Sequence, residues 1–208
     1  MKRLFSFALA ALILSAFTTI PLDKKKGKIT VVVDAGHGGK DPGNNAQGIN
    51  ESDVNLQIAL ALKNVKKKKG IEIIYTRKDD SFLELHDRTN IAQDKKADLL
   101  ISVHCDNYSD EELNGFQIFY PNTGNYIVES KKFAADLEKE LVNLNTPIPH
   151  KSTKSGSHFV TNKAKCPAVI VELGFMSNPT DLQVLTSEDY QKQFAEAIVT
   201  SIKTYIED

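Results

Sequence analysis

The chain has 208 residues, of which 41% are hydrophobic and 25% are charged, and its formal net charge is −1. This composition is ordinary for a globular protein and allows one domain with a hydrophobic core. The near balance of 26 basic and 27 acidic residues argues against nucleic acid or another polyanion as a ligand.

The N-terminal residues have the layout of an export signal. Lys2 and Arg3 precede an apolar run that ends near position 20, and the polar stretch DKKKGK follows. The alternative is an uncleaved membrane anchor, because about 17 apolar residues can span a bilayer. We expect an exported protein of the periplasm or cell envelope, with a signal peptide at 1–22, a short linker at 23–28 and one domain at 29–208.

Apolar periodicity predicts an alternation of strands and helices in the rest of the chain. Several of the strand segments are continuous β-branched runs, which are typical of strands buried on both faces. The predicted strands are 29–35, 71–76, 98–104, 116–120 and 168–173, with a weaker one near 158–161. The predicted helices are 52–68, 86–96, 127–144 and 187–206. The sequence therefore predicts an α/β fold with a mainly parallel twisted sheet of about six strands and helices on both faces.

Two other features have structural consequences. The polar segment 145–157 is expected to be an irregular surface loop. Cys105 follows one predicted strand and Cys166 precedes another, so in parallel strands they lie at opposite ends. Because a disulfide needs Cα atoms within about 7 Å, we expect none between them.

Three chemically distinctive residues lie at the carboxyl ends of predicted strands, where ligands bind in open α/β sheets. His37 follows the first strand in VVVDAGHGGKDPG, His104 ends LLISVH, and Glu172 lies near the end of AVIVE. Glu51 begins the first predicted helix and faces the same edge. Two imidazoles and two carboxylates are typical of a hydrolytic zinc site, with three ligands and one carboxylate left as a base.

Each residue also has a simpler interpretation when taken alone. His37 can be a solvated loop residue, Glu51 can favour a helix N-terminus through the macrodipole, and His104 can be a core histidine. A half-buried, unpaired Glu172 is harder to explain in this way, because desolvating a carboxylate is costly. The joint placement of the four residues at one sheet edge favours a site.

The remaining histidines lack that placement. His86, His150 and His158 are interpreted as surface or loop residues, with His158 a candidate for substrate contact. The glycines at 36, 38, 39 and 43 allow unusual backbone angles and keep the edge open for a bulky substrate. They do not form GxGxxG or GxxxxGK[ST], and more loop follows them, so a phosphate cradle for a nucleotide is not expected.

As a set, four segments resemble the signatures of the zinc-dependent N-acetylmuramoyl-L-alanine amidases of the Amidase_3 family. The segments are VVVDAGHGGKDPG, NESDVNLQIALALK, ISVHCDN and PAVIVELGFMSNPTD, and the similarity runs from about residue 29 to the C-terminus. By this resemblance His37, Glu51 and His104 are the ligands of one zinc ion per chain, and Glu172 is the catalytic glutamate. The implied reaction is hydrolysis of the amide between N-acetylmuramic acid and the L-alanine of the peptidoglycan stem peptide.

The chain departs from the family pattern at two places. Asp106 stands where the family commonly has Asn, which leaves the role of that position open. Some relatives carry an inserted helix that blocks the zinc until an activator removes it, and the segment 107–131 is too short to hold one. We therefore expect no such protein activator. The alternatives are a zinc peptidase that cuts within the stem peptide and an inactive wall-binding module.

Overall fold

The computed structural model describes residues 28–67 and 69–207, so the predicted signal peptide and nearly all of the predicted linker lie outside the described residues. The strands in chain order are β1 (Ile29–Ala35), β2 (Asn45–Ala46), β3 (Ile49–Asn50), β4 (Ile71–Tyr75), β5 (Leu99–Asp106), β6 (Phe116–Pro121), β7 (His150–Gly156) and β8 (Ala168–Phe175). The helices are α1 (Glu51–Ala61), α2 (Leu85–Asp94), α3 (Ile127–Val142), α4 (Phe159–Lys163), α5 (Pro179–Leu185) and α6 (Glu188–Glu207).

Six of the strands form one sheet in the order β4-β1-β5-β8-β6-β7. All neighbours in it are parallel except β6 and β8, which are antiparallel. The strands β2 and β3 form a separate two-stranded ribbon that leads into α1. The predicted six-stranded, mainly parallel sheet is confirmed.

The two faces of the sheet are covered unequally. Alternate strand residues point to opposite faces, so Val31 and Val33 pack in a large core with α1, α3 and α6, whereas Val32 faces the other way. On that second face Val32 and Leu100 pack with α2 and α4 in a much smaller cluster. Helices therefore cover both faces, as predicted, and the second face has room for polar side chains further along the same strands.

Two predictions in the C-terminal half were wrong. The segment 158–161 was expected to be a strand but lies at the start of α4, and the expected loop 145–157 contains the strand β7. The strand β7, with the sequence HKSTKSG, is largely exposed at the edge of the sheet. Lysines are common in edge strands. Because β7 also lacks alternating apolar residues, periodicity did not predict it as a strand.

The helix boundaries show where local chemistry overrides periodicity. The helix predicted at 52–68 ends at Ala61, where the Lys63 amide donates to the Leu60 carbonyl (3.0 Å) in a tighter turn and a lysine-rich segment follows. Helix α5 was not predicted, although its start carries a clear signal. Asn178 accepts hydrogen bonds from the amides of Thr180 and Asp181, and proline occupies the first turn.

Both cysteines are free and buried. Cys105 belongs to the large core and Cys166 to the smaller cluster, so the two thiols lie on opposite faces of the sheet. Within 28–67 and 69–207, none of the helices is long and apolar enough to cross a bilayer.

Neighbouring residues of α3 provide a matched test of the large core. Leu141 is 2% exposed and Val142 is 54% exposed. Leu141→Ala should lower the free energy of unfolding by about 2–5 kcal/mol, because it removes apolar contacts and leaves a cavity. Val142→Ala should change it by less than about 0.5 kcal/mol. Urea unfolding with a chelator present measures both values, and equal effects of the two substitutions would contradict this packing.

Candidate functional site

The structure brings together three of the four residues predicted at the sheet edge. His37 Nε2 lies 3.2 Å from Glu51 Oε1, and His104 Nδ1 lies 3.1 Å from the same oxygen. One potential ligand atom from each of the three residues lies within 4.8 Å of the other two. The cluster is therefore compact enough for its members to share one ion.

His37 is held in an unusual backbone conformation after β1. Its φ angle is +59°, in the left-handed region that non-glycine residues seldom adopt. Its Nδ1 atom lies 2.8 Å from Asp41 Oδ2, which leaves Nε2 directed at Glu51. Burial alone would lower the pKa of His37, but hydrogen bonds and charge from Glu51 and Asp41 raise it to about 9. A metal ion that binds here has to replace that proton.

Glu51 is the centre of the cluster and is only 1% exposed. Its Oε2 atom accepts hydrogen bonds from the Asn44 amide (3.1 Å) and side chain (2.8 Å), and its Oε1 atom accepts one from Asn55 Nδ2 (3.1 Å). Although burial raises the pKa of Glu51, hydrogen bonds from His104 and His37 lower it well below its usual range. Glu51 is therefore a buried carboxylate that stays ionised, and its hydrogen bonds fix the orientation of its side chain.

Two glycines leave the space that the cluster occupies. A Cβ atom at Gly36 would lie 2.3 Å from Cε1 and 2.4 Å from Nε2 of His104, so the imidazole packs directly on the backbone there. A Cβ atom at Gly43 would lie 2.7 Å from Glu51 Oε2, and the φ angle of Gly43 is +65°. Close approach of side chains to the backbone explains the glycines at these two positions.

Glu172 occupies β8 directly opposite His104 of β5. Burial raises the pKa of Glu172, the charge of His104 lowers it, and the charges of Glu51 and Asp106 raise it again. The resulting pKa is about 7. Among the described residues its Oε2 atom is buried and has no hydrogen-bond partner. An unpaired buried carboxyl oxygen is costly, and a pKa near neutrality suits a group that takes up and releases a proton.

Two buried arginines that the sequence analysis missed hold the backbone of the His37 loop. Arg77 donates to the carbonyls of Ala35 (2.9 Å) and Gly36 (2.9 Å). Arg88 donates to the carbonyls of Ala35 (2.7 Å) and His37 (2.9 Å). Each arginine is 3% exposed. Their only sequence signal is an arginine among polar residues in YTRKDD and in LHDRTN, which periodicity does not distinguish from a surface residue.

A pocket of about 230 Å³ opens beside the cluster. It is bounded by His37, His104 and Arg88, by the carboxylates of Asp41 and Glu84, and by apolar side chains; the apolar side chains are Phe82, Leu83, Leu85 and Val160. Leu85 is 50% exposed at the start of α2. The pocket can therefore take an uncharged, partly apolar group.

The other histidines and Asp106 have separate surroundings. His150 lies 3.7 Å from Glu138 of α3, on the face of the large core, and His86 contacts the Phe159 ring. His158 packs on Phe119, and burial followed by the charge of His104 lowers its pKa. Asp106 Oδ2 accepts a hydrogen bond from Gln117 Nε2 (3.0 Å). His158 and Asp106 thus lie beside the site, whereas the contacts of His150 point elsewhere.

The donor set fits a zinc ion. Two imidazoles and one carboxylate are a usual set for catalytic zinc, which keeps a further position open. Ligands of a tetrahedral ion with bonds of about 2.1 Å are about 3.4 Å apart, close to the two contacts that join Glu51 to the histidines. The hydrogen bond that His37 Nδ1 donates to Asp41 supports the imidazole, as carboxylates commonly support metal-binding histidines.

The chain is similar to known proteins over most of its length. The Amidase_3 family model, described as N-acetylmuramoyl-L-alanine amidase, matches residues 31–204. The uncharacterised protein YqiI of Bacillus subtilis is 34% identical over 177 residues, which are 85% of this chain and 84% of YqiI. The N-acetylmuramoyl-L-alanine amidase LytC of the same organism is 30% identical over 176 residues, which are 85% of this chain but only 35% of LytC.

Solved structures show the same fold. The crystal structure of an N-acetylmuramoyl-L-alanine amidase from Clostridium difficile 630 matches with a TM-score of 0.82 and 30% identity, and the match covers 88% of this chain and 98% of that chain. The range matched by the family model includes all four predicted site residues.

The contact between Gly36 and His104 predicts the effect of one added methyl group. Gly36→Ala should displace the imidazole and weaken zinc binding at least about tenfold, as loss of correct ligand orientation does at other sites. Titration calorimetry with zinc measures this affinity. Gly48→Ala is the control, because its Cβ atom meets nothing within 4 Å. The φ angle of Gly48 is +82° whereas that of Gly36 is not positive, so the control carries the larger backbone strain and tests whether strain alone lowers zinc affinity. Equal zinc affinities of the two variants would contradict the proposed packing.

Proposed function

Because the chain belongs to the Amidase_3 family of N-acetylmuramoyl-L-alanine amidases, we propose that it is a zinc-dependent hydrolase of peptidoglycan. It cleaves the amide between N-acetylmuramic acid and the L-alanine that begins the stem peptide. His37, Glu51 and His104 hold one zinc ion per chain, and Glu172 is the general base. The observation that carries the proposal is the convergence of three ligand atoms within 4.8 Å, next to the strand that carries Glu172.

A zinc ion held there supplies Lewis-acid chemistry, which acidifies water and polarises a carbonyl. Hydrolysis adds hydroxide to the carbonyl carbon of the lactyl group, breaks its bond to nitrogen and leaves a carboxylate and the free amine of L-alanine. Glu172 takes the proton from the attacking water and passes it to the departing nitrogen. Its position opposite His104 and its unpaired Oε2 atom suit both transfers.

We further propose that the enzyme acts in the cell envelope and needs no protein activator. Peptidoglycan lies outside the cytoplasm, so this substrate requires export, which the predicted signal at 1–22 would provide. The connection from β5 to β6 consists of turns and coil over 107–115, which agrees with the absence of an inserted blocking helix from that segment.

Digestion of purified peptidoglycan tests the bond that is cut. Residues 23–208, loaded with zinc, should release free stem peptides that begin with an L-alanine amine, and a chelator should abolish the release until zinc is restored. Mass analysis of the products identifies the bond. Fragments cut within the stem peptide would favour a peptidase, and activity that appears only after another protein is added would contradict activator-free action.

Variants of Glu172 and His104 separate base catalysis from metal binding. Glu172→Gln keeps the shape of the side chain and should retain zinc while lowering the turnover rate about 10²–10⁴-fold, because the general base is lost. His104→Ala should lose zinc as well as turnover, since it removes a ligand. Elemental analysis and product release measured on both variants make the comparison. A Glu172→Gln enzyme with more than about a tenth of the wild-type rate would contradict the assignment.

A further inference from the structure

The face of the sheet that carries Glu172 continues onto β6 and β7. Glu172 pairs with Gln117 of β6, and two residues along that strand Phe119 pairs with Lys154 of β7. Because residues two apart in a strand share a face, Phe119 and Lys154 lie on the same face as Glu172. A hydrogen bond from Ser152 Oγ to Gln117 Oε1 (3.0 Å) confirms this orientation for β7. The floor of the site therefore extends to the edge of the sheet.

Lys154 is the cation of this extension. Its Nζ atom lies 5.3 Å from the centroid of the Phe119 ring, and the imidazole of His158 packs on the same ring with centroids 4.7 Å apart. The two contacts hold the side chain of Lys154 over the Phe119 ring, and they leave little of that ring free to stack against a sugar. Among the ion pairs of the described residues, Lys154 has no carboxylate partner.

We infer that Lys154 binds a carboxylate of the stem peptide, on the residue that follows the L-alanine whose nitrogen is released. This inference rests on the proposed function and adds a specificity determinant to it. The ligand is a muramoyl-peptide in which that second residue carries a free α-carboxylate. An amidated residue at the same position lacks the negative charge that Lys154 attracts.

The spacing suits this ligand. Glu172 and Lys154 are separated by two strand spacings across the sheet and by two residues along the strand direction. Their Cα atoms are therefore about 12 Å apart. Two extended residues of a peptide cover about 7 Å. The four-carbon side chain of Lys154 spans the rest of the distance between the two Cα atoms.

The other charges of the site favour the same direction for the substrate. The pocket beside His37 is partly apolar and includes Asp41 and Glu84, and its Arg88 guanidinium is already bonded to Asp34 and to loop carbonyls, so the pocket suits the uncharged acyl side of the bond. Asp106 bonds with Gln117 and lies beyond Glu172 toward the carboxyl end of β8, whereas Lys154 lies toward its amino end. A carboxylate that extends over β7 toward the amino end of β8 therefore moves away from Asp106 and toward Lys154.

A matched pair of substrates tests the inference. The pair consists of two soluble N-acetylmuramoyl-peptides of equal length that differ only in whether the α-carboxyl group of the second stem residue is free or amidated. The zinc-loaded wild type should cleave the free acid with a kcat/KM about 3- to 5-fold higher, as expected for a partly exposed charge pair. Lys154→Met, which keeps an apolar stem on Phe119, should bring this ratio close to one, and Lys154→Glu should invert it.

Lys151 provides the control on the same strand, because its ammonium lies over the Phe175 ring instead of Phe119. Lys151→Met should keep the wild-type ratio. Equal cleavage of the two substrates by the wild type, or a preference that survives in Lys154→Met, would overturn the assignment of Lys154 and leave the proposed function intact. Failure of the wild type to cleave either substrate would instead contradict the proposed function on which the inference rests.

Discussion

The site depends on two guanidinium groups that bind the carbonyls of three consecutive residues, Ala35, Gly36 and His37. A turn that exposes its carbonyls to the protein interior needs buried donors, and Arg77 and Arg88 supply them. Arg88 is in turn paired with Asp34 at 2.8 Å. The left-handed φ angle of His37 persists because these hydrogen bonds fix the backbone of the loop.

Asp34 connects that support to the sheet. It is fully buried and also accepts hydrogen bonds from Ser102 of β5 (2.7 Å) and from Thr76, the residue after β4 (2.7 Å). Burial raises the pKa of Asp34, but the charge of Arg88 and these hydroxyl groups lower it below its ordinary value. A carboxylate with all its oxygen atoms bonded can stay charged in the interior, where an isolated one could not. The His37 loop and the sheet centre therefore form one polar network.

The sequence predicted the parts of this protein that rest on local patterns. Apolar β-branched runs located five strands of the main sheet, and the rule for strand ends brought His37, His104 and Glu172 to one edge. The strand β7 was not predicted because an edge strand needs little apolar surface. The roles of Arg77 and Arg88 were not predicted because these side chains bind carbonyl groups that are distant in sequence. Contacts between residues 41–53 positions apart leave no periodic pattern in a single sequence.

The reversal of direction between β8 and β6 gives the site its asymmetry. In a sheet that stayed parallel, every strand would end at the edge where His37 and His104 lie. Instead, β6 and β7 run back past Glu172, so their side chains extend the floor of the site sideways from that carboxyl group. The loop before α2 encloses the opposite side with apolar and acidic groups. The fold therefore presents a partly apolar pocket on one side of Glu172 and the exposed cation Lys154 on the other.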